Sequence, residues 1–292
     1  MKKVLVLGGT RFFGRRLVEK LLAHNYDVTV ATRGKTKDAF GDRVHRVTVD
    51  RSNPQSMKDA FQDTKWDIVY DNINYNTHDA KSAIEVFEGN VGRYVFTSTL
   101  SVYDFGGDAK VEGDFDPSTY AYDLNQDEFT YQEGKRQAEA IFEQTRAFSA
   151  TYVRFPIVLG EDDYTKRLHF HVEHVLEGLP IGIPNQQASL SFITSQEAAD
   201  FLFFAGHETF TGPVNACSNG AYSLDELITL IEEITGKQSR VVSSTEDQHM
   251  SPFGVPDNWT MNTQKAKDAG FTFLNLHEWM PALVKTLRKE YQ

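Results

Sequence analysis

Cysteine is almost missing from this chain: Cys217 is the only one in 292 residues. A lone thiol closes no intrachain disulfide, and its place in the run Val214-Asn215-Ala216-Cys217 reads as a strand where sulfur packs as a small apolar group. Positive charge is short as well. Thirty Lys and Arg face forty-one Asp and Glu, a formal net charge of -11 with a pI near 5.3, so a phosphate-rich polymer is repelled and a nucleic-acid partner is disfavoured. Long apolar runs are absent too. Met1-Lys2-Lys3 has the basic start of a secretory leader, but the apolar stretch behind it stops at Leu7, and nothing approaches the length of a membrane span. A cytoplasmic protein is expected. Repeats and low-complexity tracts are lacking, which leaves an ordinary globular composition, 40% hydrophobic and 24% charged, long enough for one large α/β unit or a main domain with a smaller lobe.

What the chain does have is a glycine turn at its start. The run Val4-Leu5-Val6-Leu7 breaks at Gly8-Gly9, and Leu17, Val18, Leu21 and Leu22 follow at helical spacing, which predicts strand, tight turn and helix. Glycine permits positive φ and close backbone approach, and the free N–H groups of a helix start carry the positive end of its dipole. The segment Gly8-Gly9-Thr10-Arg11-Phe12-Phe13-Gly14 therefore suits a pyrophosphate. Gly8 and Gly14 fit the outer two glycines of the three-glycine dinucleotide fingerprint, and Arg11 occupies the middle position.

Strand patterns recur at residues 27–31, 44–49, 67–70, 94–97 and 151–155 with helical patterns between most of them, the rhythm of right-handed crossovers and a parallel sheet. Thr130 with Glu133, Thr194 with Glu197, and Ser223 with Glu226 have the spacing of capping boxes, and Gly236 follows the periodic run 224–234 as a helix stop. Beyond Pro156 the rhythm gives way to a mixed polar and aromatic stretch at 160–184 and a Pro- and Gly-bearing loop at 251–260, while 214–218 reads as a strand returning to the main sheet. The expected architecture is α/β: a Rossmann-type doubly wound parallel sheet with a smaller, discontinuous C-terminal lobe. Residues 1–156 form the dinucleotide-binding domain, 190–218 return to it, and 157–189 with 219–292 form the substrate-binding lobe.

Tyr131 and Lys135 stand four residues apart, on one face of the helix that Thr130 caps. A nearby ammonium favours phenolate, bringing a tyrosine from its ordinary pKa of about 10 toward working pH, where it serves as acid or base. The strand at 93–103 ends in Thr97-Ser98-Thr99 and Ser101, hydroxyls at the carboxyl edge where ligands of open α/β sheets bind.

With that strand the chain resembles the short-chain dehydrogenase/reductase superfamily in its extended or atypical branch, the epimerase/dehydratase family that includes the nucleotide-sugar epimerases. In that pattern hydroxyl residues precede Val-Tyr, here Val102-Tyr103, and Tyr-x-x-x-Lys follows after a loop. The resemblance continues through Arg154-Phe155-Pro156-Ile157-Val158-Leu159-Gly160, through Phe192-Ile193-Thr194-Ser195-Gln196-Glu197, and through Asn215 with 223–236. It implies a catalytic set of Thr99, Tyr131 and Lys135 and hydride transfer between a nicotinamide and a carbinol or ketone carbon. Tyr131 exchanges the hydroxyl proton, Thr99 holds that oxygen, and Lys135 binds the nicotinamide ribose. Cofactor contacts are implied for Gly8, Gly9, Thr10, Arg11, Phe12, Phe13 and Gly14, then Arg33, Asp50, Arg51, Asn72, Ile73, Thr97, Tyr131, Lys135, Phe155 and Ile157.

An acidic residue about twenty positions beyond the first glycines would bind the 2′-hydroxyl of NAD; the second strand instead ends in Ala31-Thr32-Arg33-Gly34-Lys35. Arg33, joined by Arg11, suits a 2′-phosphate, so NADP is favoured over NAD. Asp50 is similar to the family's adenine-amine contact, and it also stands where it could cap a helix starting near Pro54.

The substrate half departs from the sugar-nucleotide pattern. Asp71-Asn72-Ile73-Asn74 replaces a His-x-Ala-Ala type sequence, and Leu190 stands where many relatives place a phosphate-binding arginine. The Gly-Gly-Thr-Arg-Phe turn and Tyr70-Asp71-Asn72-Ile73 resemble an atypical subgroup that includes chloroplast stem-loop RNA-binding proteins. His169, His171 and His174 lack a further ligand pattern, so no metal is expected; Lys166 and Arg167 suit a substrate phosphate or a solvated position. The loop 104–128 is strongly acidic and discourages polyanions at the cleft.

The expected function is an NAD(P)-dependent oxidoreductase or epimerase acting on a small molecule, with a nucleoside-diphosphate sugar fitting the resemblance best. The alternatives are an NADPH-dependent reductase of a non-sugar substrate and a non-catalytic dinucleotide-sensing or RNA-binding relative. Relatives commonly pair through the helix that bears Tyr131, so a homodimer is compatible.

Overall fold

A computed structural model describes residues 1–291. The first half alternates as β1 (Lys3–Leu7), α1 (Phe12–Ala23), β2 (Asp27–Thr32), β3 (His45–Thr48), α2 (Pro54–Phe61), β4 (Trp66–Asp71), α3 (Thr77–Phe87), β5 (Val91–Thr99), α4 (Tyr131–Thr145) and β6 (Ala150–Phe155). The second half contributes β7 (Ile157–Leu159), α5 (Arg167–Glu177), β8 (Pro180–Gly182), β9 (Ser189–Leu190), β10 (Phe192–Thr194), α6 (Ser195–Ala205) and β11 (Gly212–Asn215). It closes with β12 (Tyr222–Ser223), α7 (Leu224–Thr235), β13 (Arg240–Val242), α8 (Gln264–Asp268) and α9 (Leu276–Lys289).

Seven strands form one parallel sheet in the order β11-β6-β5-β4-β1-β2-β3. Side chains alternate across it, so each strand feeds two cores. Val4, Val6, Val28, Val30 and Tyr70 pack under α1 and α6, whereas Leu5, Leu7, Val69, Tyr94 and Phe96 pack under α2, α3 and α4. The chain runs outward from β1 to β3 and then crosses back to place β4 beside β1. Strand order thus reverses between β1 and β4, and the crevice at their carboxyl ends is where such sheets bind ligands.

The remaining short strands pair in twos, β10 with β7, β12 with β9 and β13 with β8. They belong to a separate apolar core built from Leu190, Phe192, Leu227, Ile231, Met280 and Val284 among others. Ala266 and Phe273, from the stretch that the sequence assigns to the lobe, pack instead in the core of the main sheet. No helix among the described residues is long and apolar enough to cross a membrane.

All three helix starts with capping-box spacing use the Ser or Thr oxygen as acceptor: Glu133 N–H donates to Thr130, Glu197 N–H to Thr194, and Glu226 N–H to Ser223. Only Glu226 returns the favour to its N-cap backbone. Glu133 instead accepts from Tyr120 Oη and Gln137 Nε2, and Glu197 from Ser218 Oγ and the Leu274 N–H, because tertiary donors outcompete the local one. Gly236 ends α7 at φ 70°, the left-handed cap that favours glycine.

Candidate active site

A cleft of about 1030 Å³ opens along the carboxyl ends of β1, β4 and β5. Its floor begins at the glycine turn. Gly8 takes φ +80°, and a Cβ on Gly14 would collide with the Gly8 carbonyl oxygen, so the turn and the first coil of α1 close on each other only without side chains. Arg11 takes φ -137°, extended backbone open to any residue, which is why the turn forms without the middle glycine of the fingerprint. Phe12 carries the positive φ instead, at 51°.

Of the seven turn residues assigned to a cofactor from sequence, six line the cleft: Gly8, Thr10, Arg11, Phe12, Phe13 and Gly14. Gly9 is the exception. It faces the core, where a Cβ would come within 2.9 Å of both Val6 Cγ1 and Val18 Cγ2, so its smallness serves the packing of β1 on α1.

Arg33, Asp50, Arg51, Asn72, Ile73, Thr97, Phe155 and Ile157 also border the cleft. The Ser52 hydroxyl and N–H hold the exposed Asp50 carboxyl below its ordinary range, with Arg33 and Lys35 adding to the effect. The cap of α2 is Asn53, whose Oδ1 accepts from the Gln55 and Ser56 N–H groups, so the capping role considered for Asp50 falls to its neighbour. Arg51 is buried, and its guanidinium is committed inside the protein: Nη2 donates to Asp71 Oδ2 at 2.6 Å and to the Asp79 carbonyl at 3.0 Å. Thr97 Oγ1 donates to Asn72 Oδ1 at 2.7 Å and so fixes the amide. That leaves Asn72 Nδ2 as a buried donor with no protein acceptor, beside Gly14 in the turn.

Thr99, Tyr131 and Lys135 come together in the same cleft. Thr99 Oγ1 accepts from the Ser101 N–H at 3.1 Å and donates to Ser101 Oγ at 3.2 Å, and its hydroxyl lies close enough to the Tyr131 phenol to favour the ionised form. Tyr131 keeps 54% of its surface accessible, and the cleft that it lines partly desolvates its phenol. That desolvation pushes the phenol up from its ordinary value, while Thr99 and Arg167 pull it down. The direction is opposite to the one expected from Tyr-x-x-x-Lys spacing, because desolvation outweighs the pull of Thr99 and Arg167, and Lys135 spends its N–H groups on the Asn74 and Thr97 carbonyls. Lys135 Nζ lies 5.8 Å from the Tyr131 ring centroid, and its N–H groups donate to the Asn74 carbonyl at 2.6 Å and the Thr97 carbonyl at 2.8 Å.

Burial brings Lys135 down to about 8, against the support of Asp71, Asp79 and Glu139. Between about pH 8 and the ordinary lysine value of 10.5 the unfolded chain holds this proton and the folded chain does not, so unfolding free energy rises with pH across that window. Urea midpoints measured from about pH 7 to about pH 10 should therefore diverge between the wild type and Lys135→Met, the wild type gaining as pH rises. Parallel profiles would remove the ammonium from this role. The Cys217 thiol, pushed up to about 12 by burial, stays protonated in the same range.

Sequence reasoning missed Tyr75, Tyr164 and Trp259, which line the cleft together with Thr165 and Arg167. Trp259 arrives from a loop by tertiary pairing, its N–H donating to the Ser189 carbonyl at 2.8 Å, and no local pattern marks it. Leu190 is fully buried in the lobe core. The α5 histidines serve packing: His171 bridges the Arg167 carbonyl and Ser251 Oγ and is driven down to about 4 by burial, and His174 meets His249 at 3.1 Å. Among the described residues no group of three or more His, Cys, Asp or Glu is placed to hold a metal.

An open parallel sheet with a helix-capping glycine turn at its switch point and a hydroxyl–phenol–ammonium set at the far end of one crevice defines an α/β protein of the dinucleotide-binding kind. Residues 4–216 match the family model for the NAD dependent epimerase/dehydratase family, and the chain belongs to that family. A curated relative, the chloroplast stem-loop binding protein of 41 kDa b from Arabidopsis thaliana, is 23% identical over 258 residues, 78% of this chain, which spans 65% of that protein's length. Among solved structures, Pal from Bacillus thuringiensis superimposes with a TM-score of 0.78 at 19% identity, covering 99% of this chain and 100% of that one. A UDP-glucose 4-epimerase from Thermotoga maritima with UDP-glucose gives 0.76 at 17%, covering 99% and 100%. A dTDP-glucose 4,6-dehydratase from Bacillus anthracis in complex with NAD gives 0.76 at 15%, covering 99% and 97%. At these identities the structural likeness speaks for the fold alone.

Proposed function

We propose that the chain is an NAD(P)-dependent oxidoreductase or epimerase that acts at a carbinol or ketone carbon, with a nucleoside-diphosphate sugar as the substrate class suggested by its relatives. The observation that carries the reading is the meeting of the Thr99 hydroxyl, the Tyr131 phenol and the buried Lys135 ammonium in one cleft that starts at the Gly8–Gly14 turn.

The residues present fit a dinucleotide. The turn and the start of α1 would hold the diphosphate, with Asn72 Nδ2 as the unmatched donor beside it. Asp50 would meet the adenine, Arg33 a 2′-phosphate, Lys135 the nicotinamide ribose, and Thr97, Ile73, Phe155 and Ile157 the nicotinamide end. NADP is favoured on the strength of Arg33. When bound, the nicotinamide supplies hydride acceptance and return at the substrate carbon. The protein's part is proton movement: Thr99 holds the substrate oxygen, and Tyr131 takes the hydroxyl proton on oxidation and gives it back on reduction.

Desolvation keeps the phenol in its protonated form near neutral pH, the form that donates a proton to a ketone oxygen, so an NADPH-dependent ketone reductase stands as a second reading. Stem-loop binding, which the name of the chloroplast relative describes, finds little support as nucleic-acid recognition in a chain of net charge -11. The test is turnover in a panel of UDP- and dTDP-sugars and simple ketones, with both dinucleotides present and products resolved by NMR. Conversion of a carbinol centre supports the reading. A dinucleotide-saturated protein inert across the panel, and equally inert toward ketones, would sink it.

A further inference from the structure

Six basic side chains border the cleft. Arg11, Arg33 and Lys35 stand at the glycine turn and beyond the end of β2, and Arg51 and Lys135 are buried and bonded within the protein. Arg167 is left for the substrate end. It opens α5 on the wall that also carries Tyr164, Thr165 and Trp259, with 31% of its side chain exposed. Its guanidinium is aimed by the protein: Nε donates to Thr165 Oγ1 at 2.9 Å and Nη2 to the Val158 carbonyl at 3.2 Å. Thr165 is fixed in turn by Asp163, whose Oδ1 accepts from both the Thr165 hydroxyl and its N–H. Nη1 makes no hydrogen bond among the described residues.

Asp163 Oδ2 lies 3.8 Å from Arg167 Nε, so the charge offered to the cleft is partly compensated. That suits a single carboxylate better than a doubly charged diphosphate, and the buried Leu190 supplies no second cation. On the same wall the Trp259 indole N–H is buried without an acceptor in the protein. Arg167 lines the same cleft as Tyr131, and its charge favours the ionised form of that phenol.

We infer that the reacting unit of the substrate bears a carboxylate, a uronate or a related hydroxy acid, gripped by Arg167. This deepens the reading of the cleft as a dinucleotide-dependent oxidoreductase site and rests on it. Arg167 is thus the residue that separates acidic from neutral substrates of otherwise equal shape, since a guanidinium left without its anion gains nothing from a hydroxymethyl group.

The experiment uses the full chain saturated with NADPH and measures calorimetric affinity for four probes: UDP-glucuronate, UDP-glucose, D-glucuronate and D-glucose. The acids should bind more tightly than their neutral counterparts. Arg167→Gln should weaken the acids roughly 10- to 150-fold and leave the neutral probes and NADPH itself unchanged, and Arg167→Lys should restore part of the loss. Preference for UDP-glucuronate alone assigns the carboxylate to a nucleotide-linked sugar; equal response of D-glucuronate assigns it to a free acid. Equal binding of UDP-glucose and UDP-glucuronate, both weakened in Arg167→Gln, would mean that Arg167 holds the diphosphate and would overturn the inference. So would acid affinities indifferent to the substitution. Failure of the wild type to take up NADPH would be a different result, one that strikes the reading of the cleft itself.

Discussion

Replacing Tyr131 by phenylalanine should lower turnover by roughly 10²- to 10⁴-fold while leaving dinucleotide affinity where it was. The substitution removes only the hydroxyl that meets Thr99 and keeps the ring beside Lys135 and the aromatic wall. A loss confined to the chemical step is what distinguishes an acid or base from a packing residue, whose removal would also disturb binding or stability. The pH profile adds a second signature. Burial holds the phenol above its ordinary pKa, so in the reductive direction activity should persist through neutral pH and decline only on the alkaline side, as the proton to be donated is lost. Stopped-flow measurement of the first turnover in wild type and Tyr131→Phe checks both points. Equal rates would take Tyr131 out of the mechanism.

Glu139→Gln should cost about 3–5 kcal/mol of stability, the range seen when one member of a buried ion pair is removed. Glu139 and Arg154 are both fully buried, joined by Arg154 Nη2 to Glu139 Oε2 at 2.5 Å and by Nε to Oε1 at 3.1 Å. Burial alone would disfavour the guanidinium; Glu139, with help from Tyr103, more than offsets it and keeps the charge. Glutamine has the same shape but leaves that cation without its counterion. The remaining Arg154 bonds, to the Glu112 and Phe115 carbonyls and the Tyr103 hydroxyl, then have to hold a buried charge by themselves. The consequence reaches the site, because Glu139 also accepts from Ser98 Oγ, one residue before Thr99, and Arg154 pins the base of the acidic loop. Urea unfolding followed by circular dichroism measures the effect; a change under about 1 kcal/mol would show that the pair is not what holds this hub.

The fold was legible because its signals are local and repeated. Val4-Leu5-Val6-Leu7 is apolar on both faces, which marks a strand covered on two sides, and β4, β5 and β6 carry similar buried runs, whereas the edge strand β3 does not. The turn was legible too, and its missing middle glycine has a local reason. A middle glycine matters only where backbone strain or close approach demands it, and at Arg11 the chain is extended. Gly9 answers a packing need that the sequence does not reveal, since a Cβ there would crowd Val6 and Val18.

Electrostatics was harder to read. Spacing puts Tyr131 and Lys135 on one face, yet it carries no information on burial, and burial decides the direction of both pKa shifts. Arg51 looked available and is consumed by Asp71 and Asp79, residues that are 20 and 28 positions away in the chain. Of the far wall only Arg167 stood out in the sequence, as a candidate grip for a substrate phosphate. Tyr164, Arg167 and Trp259 meet over the cleft through pairing of Leu190 with Trp259 and through the start of α5, contacts between distant segments that no short window encodes.

The central claim is that a nicotinamide dinucleotide lies across this crevice with its diphosphate on the Gly8–Gly14 turn. The most direct measurement is fluorescence titration of the purified protein with NADPH and with NADH, repeated on Arg33→Ala. The account predicts saturable one-to-one binding of both, tighter for NADPH, with that preference lost in the variant. Fluorescence of both dinucleotides unaltered by the protein at any concentration would contradict it.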